Sequence, residues 1–172
     1  TSMVLAARLY GLSTVKECLD DEFVNAFLNK TIFEEIIPTL GNTEEDIAFG
    51  KAVLERFANP FVKHQLLSIA LNSVSKFKAR VLPTILEYYE ANGELPKCMT
   101  FSLAALIAFY RTDEANDGED IMAFMKTASA EEILKQVNYW GRDLSFMLPE
   151  VEKYLTMMNE KGLAQAFREV LA

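Results

Sequence analysis

The chain has 172 residues, of which 51% are hydrophobic and 24% are charged, and its formal net charge is −8. This length suits one domain with a single sizeable core, and the composition excludes a disordered or collagen-like chain. Nucleic acids and anionic membranes both require basic surface, so the acidic balance argues against either as a partner. We therefore expect a globular protein with no nucleic-acid and no membrane partner.

The two cysteines, Cys18 and Cys98, are far apart and have no CxxC spacing. Neither a disulfide framework nor a zinc site is predicted from them, and we expect no metal. No stretch resembles a signal peptide, and the longest apolar run, residues 101–110, is about half of what a bilayer-spanning helix requires. These features predict a cytoplasmic protein in which that run is a buried helix.

Taken in chain order, the first element is an apolar helix that begins at the start of the chain and ends at Gly11, since glycine accepts a positive φ. The chain opens inside this helix with no initiator methionine, so we expect it to be part of a longer protein. The sequence from Thr14 to Glu17 has the T-x-x-E form of a capping box and predicts the start of a second helix.

The same start and stop signals recur further along. Residues 42–45 predict a helix that runs to Phe57, and residues 129–132 predict another that runs through Val137. Asn59 and Pro60 predict a third that ends at Asn92-Gly93. Gly162 separates two short C-terminal helices, and the polar residues 112–119 predict a solvated loop. We expect an all-α fold of eight to ten helices without a strand.

The segment from Pro60 to Asn92 is the most informative part of the chain. Reading it as one helix in steps of four residues places a continuous polar stripe on one face: His64, Ser68, Asn72, Lys76 and Arg80. From Pro60 to Leu86 there is no aspartate or glutamate, although acidic residues outnumber basic ones by 25 to 17. The cations therefore have no local counter-charges.

Two interpretations of this stripe stay open. Lys76, Lys78 and Arg80, beside an amide and hydroxyls, could bind a small anionic, polyhydroxylated ligand. Alternatively, these cations pair with carboxylates from elsewhere in the fold, and His64 is a packed or capping histidine. Lys76 and Lys78 are separated by roughly 200° on a regular helix, so either the helix is irregular or one of the two is structural.

Residues 59–83, which read NPFVKHQLLSIALNSVSKFKARVLP, resemble a segment of the mannitol dehydrogenase family of long-chain, polyol-specific reductases. The resemblance continues in residues 32–40 (IFEEIIPTL), 101–110 (FSLAALIAFY) and 140–144 (WGRDL). It therefore spans nearly the whole chain.

This resemblance implies an all-helical C-terminal domain similar to that of 6-phosphogluconate dehydrogenase, with the substrate held between it and an N-terminal Rossmann domain that binds NAD. The family's catalytic lysine lies in a K-x-x-x-x-N-x-x-H motif, and the TSMVLAARLYGL opening resembles the family's sequence immediately after that motif. The catalytic residues would then lie before Thr1. We expect no catalytic and no cofactor-binding residue in these 172 positions, and no turnover by the isolated chain.

Within the family, the LNSxSKFK form around Asn72 and Ser73 resembles members that interconvert D-tagaturonate and D-altronate. The resemblance implies that Lys76 and Lys78 orient the sugar acid, that Asn72 and Ser75 bind its hydroxyls, and that Arg80 and His64 contribute less. An alternative within the same family is a fructuronate reductase or a mannitol reductase. A non-catalytic helical interaction module is a further alternative.

Overall fold

The computed structural model describes residues 1–59 and 63–172. In these residues the backbone is helical, with one isolated antiparallel bridge between Thr14 and Gln65 and no β-strand. Thirteen α-helical segments are present in the described residues: α1 (Val4–Tyr10), α2 (Val15–Asp20), α3 (Glu22–Lys30), α4 (Ile37–Leu40), α5 (Glu44–Phe57), α6 (Leu66–Ala70), α7 (Ser73–Arg80), α8 (Leu82–Asn92), α9 (Lys97–Tyr110), α10 (Glu119–Thr127), α11 (Ala130–Leu134), α12 (Val137–Trp140) and α13 (Leu148–Leu171). The all-α prediction is confirmed.

A π-helical stretch, Thr31–Ile36, joins α3 to α4, and a 3₁₀ turn, Ser145–Met147, leads into α13. Inside α13, Gly162 has φ 81° and ψ 168°, which divides it into two helices as predicted. The count exceeds the prediction because several helices are broken. For example, α11 ends at Leu134, so Val137 belongs to the next helix.

The helix starts predicted at residues 14–17, 42–45 and 129–132 are confirmed, although the capping box of α5 lies one position later than predicted, at Thr43 and Asp46. Thr14, Thr43 and Ser129 each form a capping box, in which the hydroxyl accepts an amide hydrogen from the third helical residue and that residue's carboxylate accepts one in return. Gly11 ends α1 with φ 111°. Helix α1 itself begins at Val4, so residues 1–3 precede it. Of the start predicted at Asn59-Pro60, the first helical residue, Pro60, falls outside the described residues.

The core is organised around α9. Its central residues, from Cys98 to Ile107, are all buried, and α1 and α13 pack against it. Four aromatic rings, from α3, α9 and α13, make close edge or tilted contacts with centroids 5.3 to 5.5 Å apart: Phe27, Phe101, Tyr154 and Phe167. Helix α7 packs against α8, α9 and α12.

Both cysteines are buried and free, and no disulfide joins them. In the described part of the chain, no three histidine, cysteine or acidic side chains come together in a way that could hold a metal. None of its helices has the length and apolarity needed to cross a membrane.

Candidate substrate-binding face

The single helix predicted from Pro60 to Asn92 is wrong: the described part, from His64 onward, forms α6, α7 and α8. Leu71 has an extended backbone with ψ 136°, and Asn72 takes the left-handed conformation with φ 51° and ψ 46°. Asparagine is one of the few residues that tolerate this conformation. A second, smaller break occurs at Val81, just before Pro83 in the first turn of α8.

The break between α6 and α7 is held by α9 and the loop after it. In an unbroken helix the Asn72 amide would donate to the carbonyl four residues earlier. Here it donates to the Asn116 carbonyl at 3.0 Å. The Val74 amide donates to the Tyr110 hydroxyl at 3.2 Å, and that hydroxyl donates to Asp117 at 2.5 Å. Tertiary contacts therefore replace helical hydrogen bonds at this point.

Helix α7 turns Ser73, Val74 and Phe77 into the core, where the Phe77 ring meets Trp140 edge to face at 6.1 Å. With those positions buried, Lys76 and Arg80, four residues apart, share another face of α7. Asn72 lies at the start of the same face, is exposed, and its side-chain amide has no hydrogen-bond partner in the described residues. The C-terminal half of the predicted stripe thus remains together.

Lys76 is partly buried, and its ammonium donates to the Ile69 carbonyl at 3.0 Å. Ile69 is in the last turn of α6, whose carbonyls carry partial negative charge, so a cation is favourable there. Lys76 therefore has a structural partner, and two of its three donor hydrogens remain for a ligand.

Thr1 lies next to this face: its backbone nitrogen is close enough to Arg80 and Lys76 for both positive charges to act on it. The first residue of the chain and the two cations are consequently close in space, although they are more than 70 positions apart in the sequence.

The remaining predicted site residues diverge from this face. Lys78 is exposed on the other side of α7, where its Cε lies 3.5 Å from the point that a Cβ on Gly141 would occupy. Ser75 is exposed and donates to the Asn72 carbonyl at 3.1 Å. His64 precedes α6 and is exposed, and its carbonyl accepts the Val15 amide at 3.0 Å. The structure therefore brings Asn72, Lys76 and Arg80 together, and it separates Lys78 from Lys76.

The cations of α7 have no carboxylate partners in the described part of the chain. None of its six ion pairs, defined by N–O distances within 4.0 Å, includes Lys76, Lys78 or Arg80. The geometry therefore contradicts the alternative in which carboxylates from elsewhere in the described residues pair with these cations. This face is positively charged in a protein with a net charge of −8.

The face is open. Five concavities with volumes between about 150 and 510 Å³ are lined by other residues. The largest of these five lies between α1, α9 and α13 and includes Leu9, Arg111 and Leu163.

Sequence reasoning did not identify Tyr110, Asn116 and Asp117, which hold the break before α7. Residues 112–119 were predicted to be a solvated loop, and most of them are exposed, but Asn116 and Asp117 bond inward. One available signal was Asn72 itself, because asparagine inside a predicted helix favours a left-handed break. The geometry defines an all-helical domain with an open cationic face.

The family is established by comparison with known proteins. The family model described as the mannitol dehydrogenase C-terminal domain matches residues 1–169. The chain belongs to this family, as the resemblance predicted.

Curated relatives share sequence across nearly all of the chain. An altronate oxidoreductase from Pectobacterium carotovorum is 45% identical over 96% of the chain, and one from Yersinia enterocolitica is 51% identical over all of it. In each case the chain spans about 40% of the relative's own length.

Solved structures share the fold at low sequence identity. A Pseudomonas fluorescens mannitol 2-dehydrogenase, in a ternary complex with NAD and D-mannitol, matches 99% of the chain with a TM-score of 0.83 and 17% identity. A substrate-free D-sorbitol dehydrogenase matches 96% with a TM-score of 0.80 and 20% identity. The chain covers 38% and 37% of these two proteins.

Proposed function

We propose that these 172 residues are the substrate-binding C-terminal domain of an NAD-dependent hexuronate reductase that interconverts D-tagaturonate and D-altronate. The observation that carries this proposal is the 45 to 51% identity with altronate oxidoreductases over nearly the whole chain. Identity with the mannitol and sorbitol dehydrogenases is only 17 to 20%, although the fold is the same.

The charge of the α7 face supports an acidic substrate rather than a neutral polyol. A hexuronate carries a carboxylate, and Lys76 and Arg80 are two cations without carboxylate partners on one face of α7 in the described residues. The exposed amide of Asn72 at the start of that face can donate to and accept from sugar hydroxyls. In this proposal Lys76 and Arg80 bind the carboxylate end and Asn72 binds hydroxyls.

The other predicted contacts take different places in the proposal. Ser75 lies one position from Lys76 and can bind a second hydroxyl from the edge of the face. Lys78 and His64 are oriented elsewhere, so we assign them no direct contact with the substrate. This arrangement changes the ranking drawn from the sequence, in which Lys78 stood beside Lys76.

NAD is the cofactor of the proposal, and its site is assigned outside these residues. A dinucleotide fold requires a glycine-rich turn between a strand and a helix. The seven glycines of the chain include no G-x-G, since the nearest two, Gly41 and Gly50, are nine positions apart. The residues present therefore do not fit NAD. We place NAD on an N-terminal Rossmann domain that precedes Thr1 in the complete protein.

The proximity of Thr1 to the α7 face agrees with this arrangement. If the family's catalytic lysine motif directly precedes Thr1, it reaches the ligand beside Lys76 and Arg80. The N-terminal domain would then cover the open side of the face. The substrate would lie between a cationic helix from this domain and the reacting groups of the other.

The proposal is tested with the complete protein carrying Lys76→Met, which removes the ammonium and keeps the aliphatic chain. We expect kcat/KM for D-tagaturonate with NADH to fall roughly a hundredfold, because a misplaced substrate loses its reactive geometry. Lys51→Met is the matched control, since Lys51 is an exposed lysine on α5. We expect that variant to retain wild-type kinetics.

The same assay separates the alternatives. Higher kcat/KM of the wild-type protein for D-fructuronate, or for fructose, than for D-tagaturonate would assign the domain to another member of the family. Absence of any NADH-dependent reduction by the complete protein would favour a non-catalytic helical module. A Lys76→Met protein that loses activity only in proportion to its loss of folded protein would remove Lys76 from the site.

A further inference from the structure

We propose that Tyr110 and Asp117 are positioning residues that hold Asn72 and the start of α7 in the conformation required to bind the sugar acid. This inference rests on the proposed function. Neither residue itself faces the ligand: Tyr110 bonds to the first turn of α7, and Asp117 bonds to the Tyr110 hydroxyl.

The contacts form a short chain of hydrogen bonds from the core to the site. Tyr110 is fully buried at the end of α9, and its hydroxyl accepts the Val74 amide at 3.2 Å and donates to Asp117 at 2.5 Å. The second carboxylate oxygen of Asp117 accepts the Gly118 amide at 2.8 Å. The neighbouring Asn116 carbonyl accepts the Asn72 amide at 3.0 Å.

These bonds act on the one backbone segment where α6 and α7 diverge. Asn72 is in the left-handed conformation, which asparagine tolerates better than most residues but which is sparsely populated and persists where the surroundings enforce it. The Asn116–Asn72 bond enforces it from one side and the Tyr110–Val74 bond from the other. Asn72 and Lys76 both project from this segment, so its position decides where both side chains lie.

The hydroxyl of Tyr110, rather than its ring, carries the inference. The ring packs against Phe109 with centroids 6.5 Å apart, and a phenylalanine would keep that contact. Without the hydroxyl, the buried Val74 amide has no acceptor and Asp117 loses its link to the core. Residues 71–74 would then lose one direct restraint, and the loop that carries Asn116 would lose its link to Tyr110, while the aromatic core stays filled.

The test compares Tyr110→Phe with Tyr154→Phe in the complete protein. Tyr154 is a similarly buried tyrosine on α13, so removing its hydroxyl controls for general effects on the core. We expect Tyr110→Phe to lower kcat/KM for D-tagaturonate roughly tenfold to a hundredfold, with kcat falling as well as KM rising. Tyr154→Phe should stay within about twofold of the wild type.

Asp117 offers a conservative rescue. Asp117→Ala removes the acceptor of the Tyr110 hydroxyl, but the Val74 amide keeps its bond to that hydroxyl, so we expect kcat/KM to fall in the same direction as in Tyr110→Phe but by less. Asp117→Asn keeps an oxygen that can accept from the Tyr110 hydroxyl, so it should restore most of the activity. Hydrogen exchange at the Val74 amide should accelerate in Tyr110→Phe, and exchange at the Asn72 amide should accelerate in both Tyr110→Phe and Asp117→Ala. Both amides should stay slow in Asp117→Asn.

The possible failures are distinct. Equal kcat/KM and equal exchange in Tyr110→Phe and Tyr154→Phe would overturn the positioning role and leave the proposed function standing. If the wild-type protein reduces fructose and no hexuronate, the proposed substrate is wrong. The same variants, assayed with fructose, then decide the positioning role.

Discussion

Two charged side chains of this protein each meet a helix end, and their surroundings are opposite. Glu35, in the π-helical stretch, is 3% exposed, and its two oxygens accept the Cys98 and Met99 amides at 2.6 and 2.9 Å at the start of α9. Lys76 donates to the Ile69 carbonyl in the last turn of α6, but it lies on an open face beside Arg80.

The difference shows that Glu35 has a structural role, whereas the charge of Lys76 remains available to a ligand. Both Glu35 oxygens are engaged by buried backbone donors, so no ligand can reach them. Lys76 uses one hydrogen bond at the helix end, and the nearby cations add to its positive field. A buried carboxylate with both oxygens engaged holds the start of a helix, whereas a partly buried cation that is only partly satisfied and has no counter-ion in the described residues can bind a substrate.

The largest expected effect on stability is at Glu35, the buried residue of the two. We expect Glu35→Ala to lower the free energy of unfolding by about 3 kcal/mol, because two buried amides of α9 lose their acceptors at roughly 1–3 kcal/mol each. Urea unfolding measures this. The control is Glu34→Ala, which removes only an exposed ion pair with Lys30 and should cost about 0.5 kcal/mol or less. Equal losses would show that Glu35 does not cap α9.

A smaller effect is expected in the pH dependence of stability. Burial raises the pKa of Glu35 above its ordinary value of 4.5, despite the amide donors, so the folded protein binds this proton more tightly than the unfolded chain. Its contribution is complete below pH 4.5 and is lost as pH rises through the raised pKa. The free energy of unfolding of the wild type, relative to Glu35→Gln, should therefore decrease over this window. An increase would show that the amide donors outweigh burial.

The smallest effect on stability is expected at Lys76. Lys76→Met removes one hydrogen bond to a helix C-terminus, and we expect it to lower the free energy of unfolding by about 0.5–1 kcal/mol. Thermal unfolding of the complete protein, beside the kinetic assay, measures it. A loss as large as that of Glu35→Ala would make Lys76 a structural residue and end the contrast between the two sites.

Much of the fold was predictable from local signals. The capping boxes at Thr14, Thr43 and Ser129 and the glycine stop at Gly11 act within one turn of backbone, so the sequence contains all the atoms involved. The buried helix α9 was predictable because its apolar run is too long for any exposed element. The family resemblance was also carried by contiguous residues.

The arrangement of the candidate site was not predictable in the same way. Helical spacing placed Lys76 and Arg80 together and separated Lys78, and both results hold within α7. The same spacing wrongly joined His64 to that face, since it assumed that the helix continues through Leu71 and Asn72. No local pattern predicts that the Asn116 carbonyl accepts a hydrogen bond from the Asn72 amide.

The amino-acid sequence alone determined that the chain is helical, where several helices begin, which family it belongs to, and that one segment concentrates cations without acidic neighbours. Only the tertiary structure decided that His64 is not on the helix that carries Lys76 and Arg80, that Thr1 lies beside these two cations, and that their charges stay without carboxylate partners in the described residues. The reason is range: caps and periodicity depend on neighbours within a few positions, whereas the break before α7 depends on Tyr110 and Asn116, roughly 40 positions away.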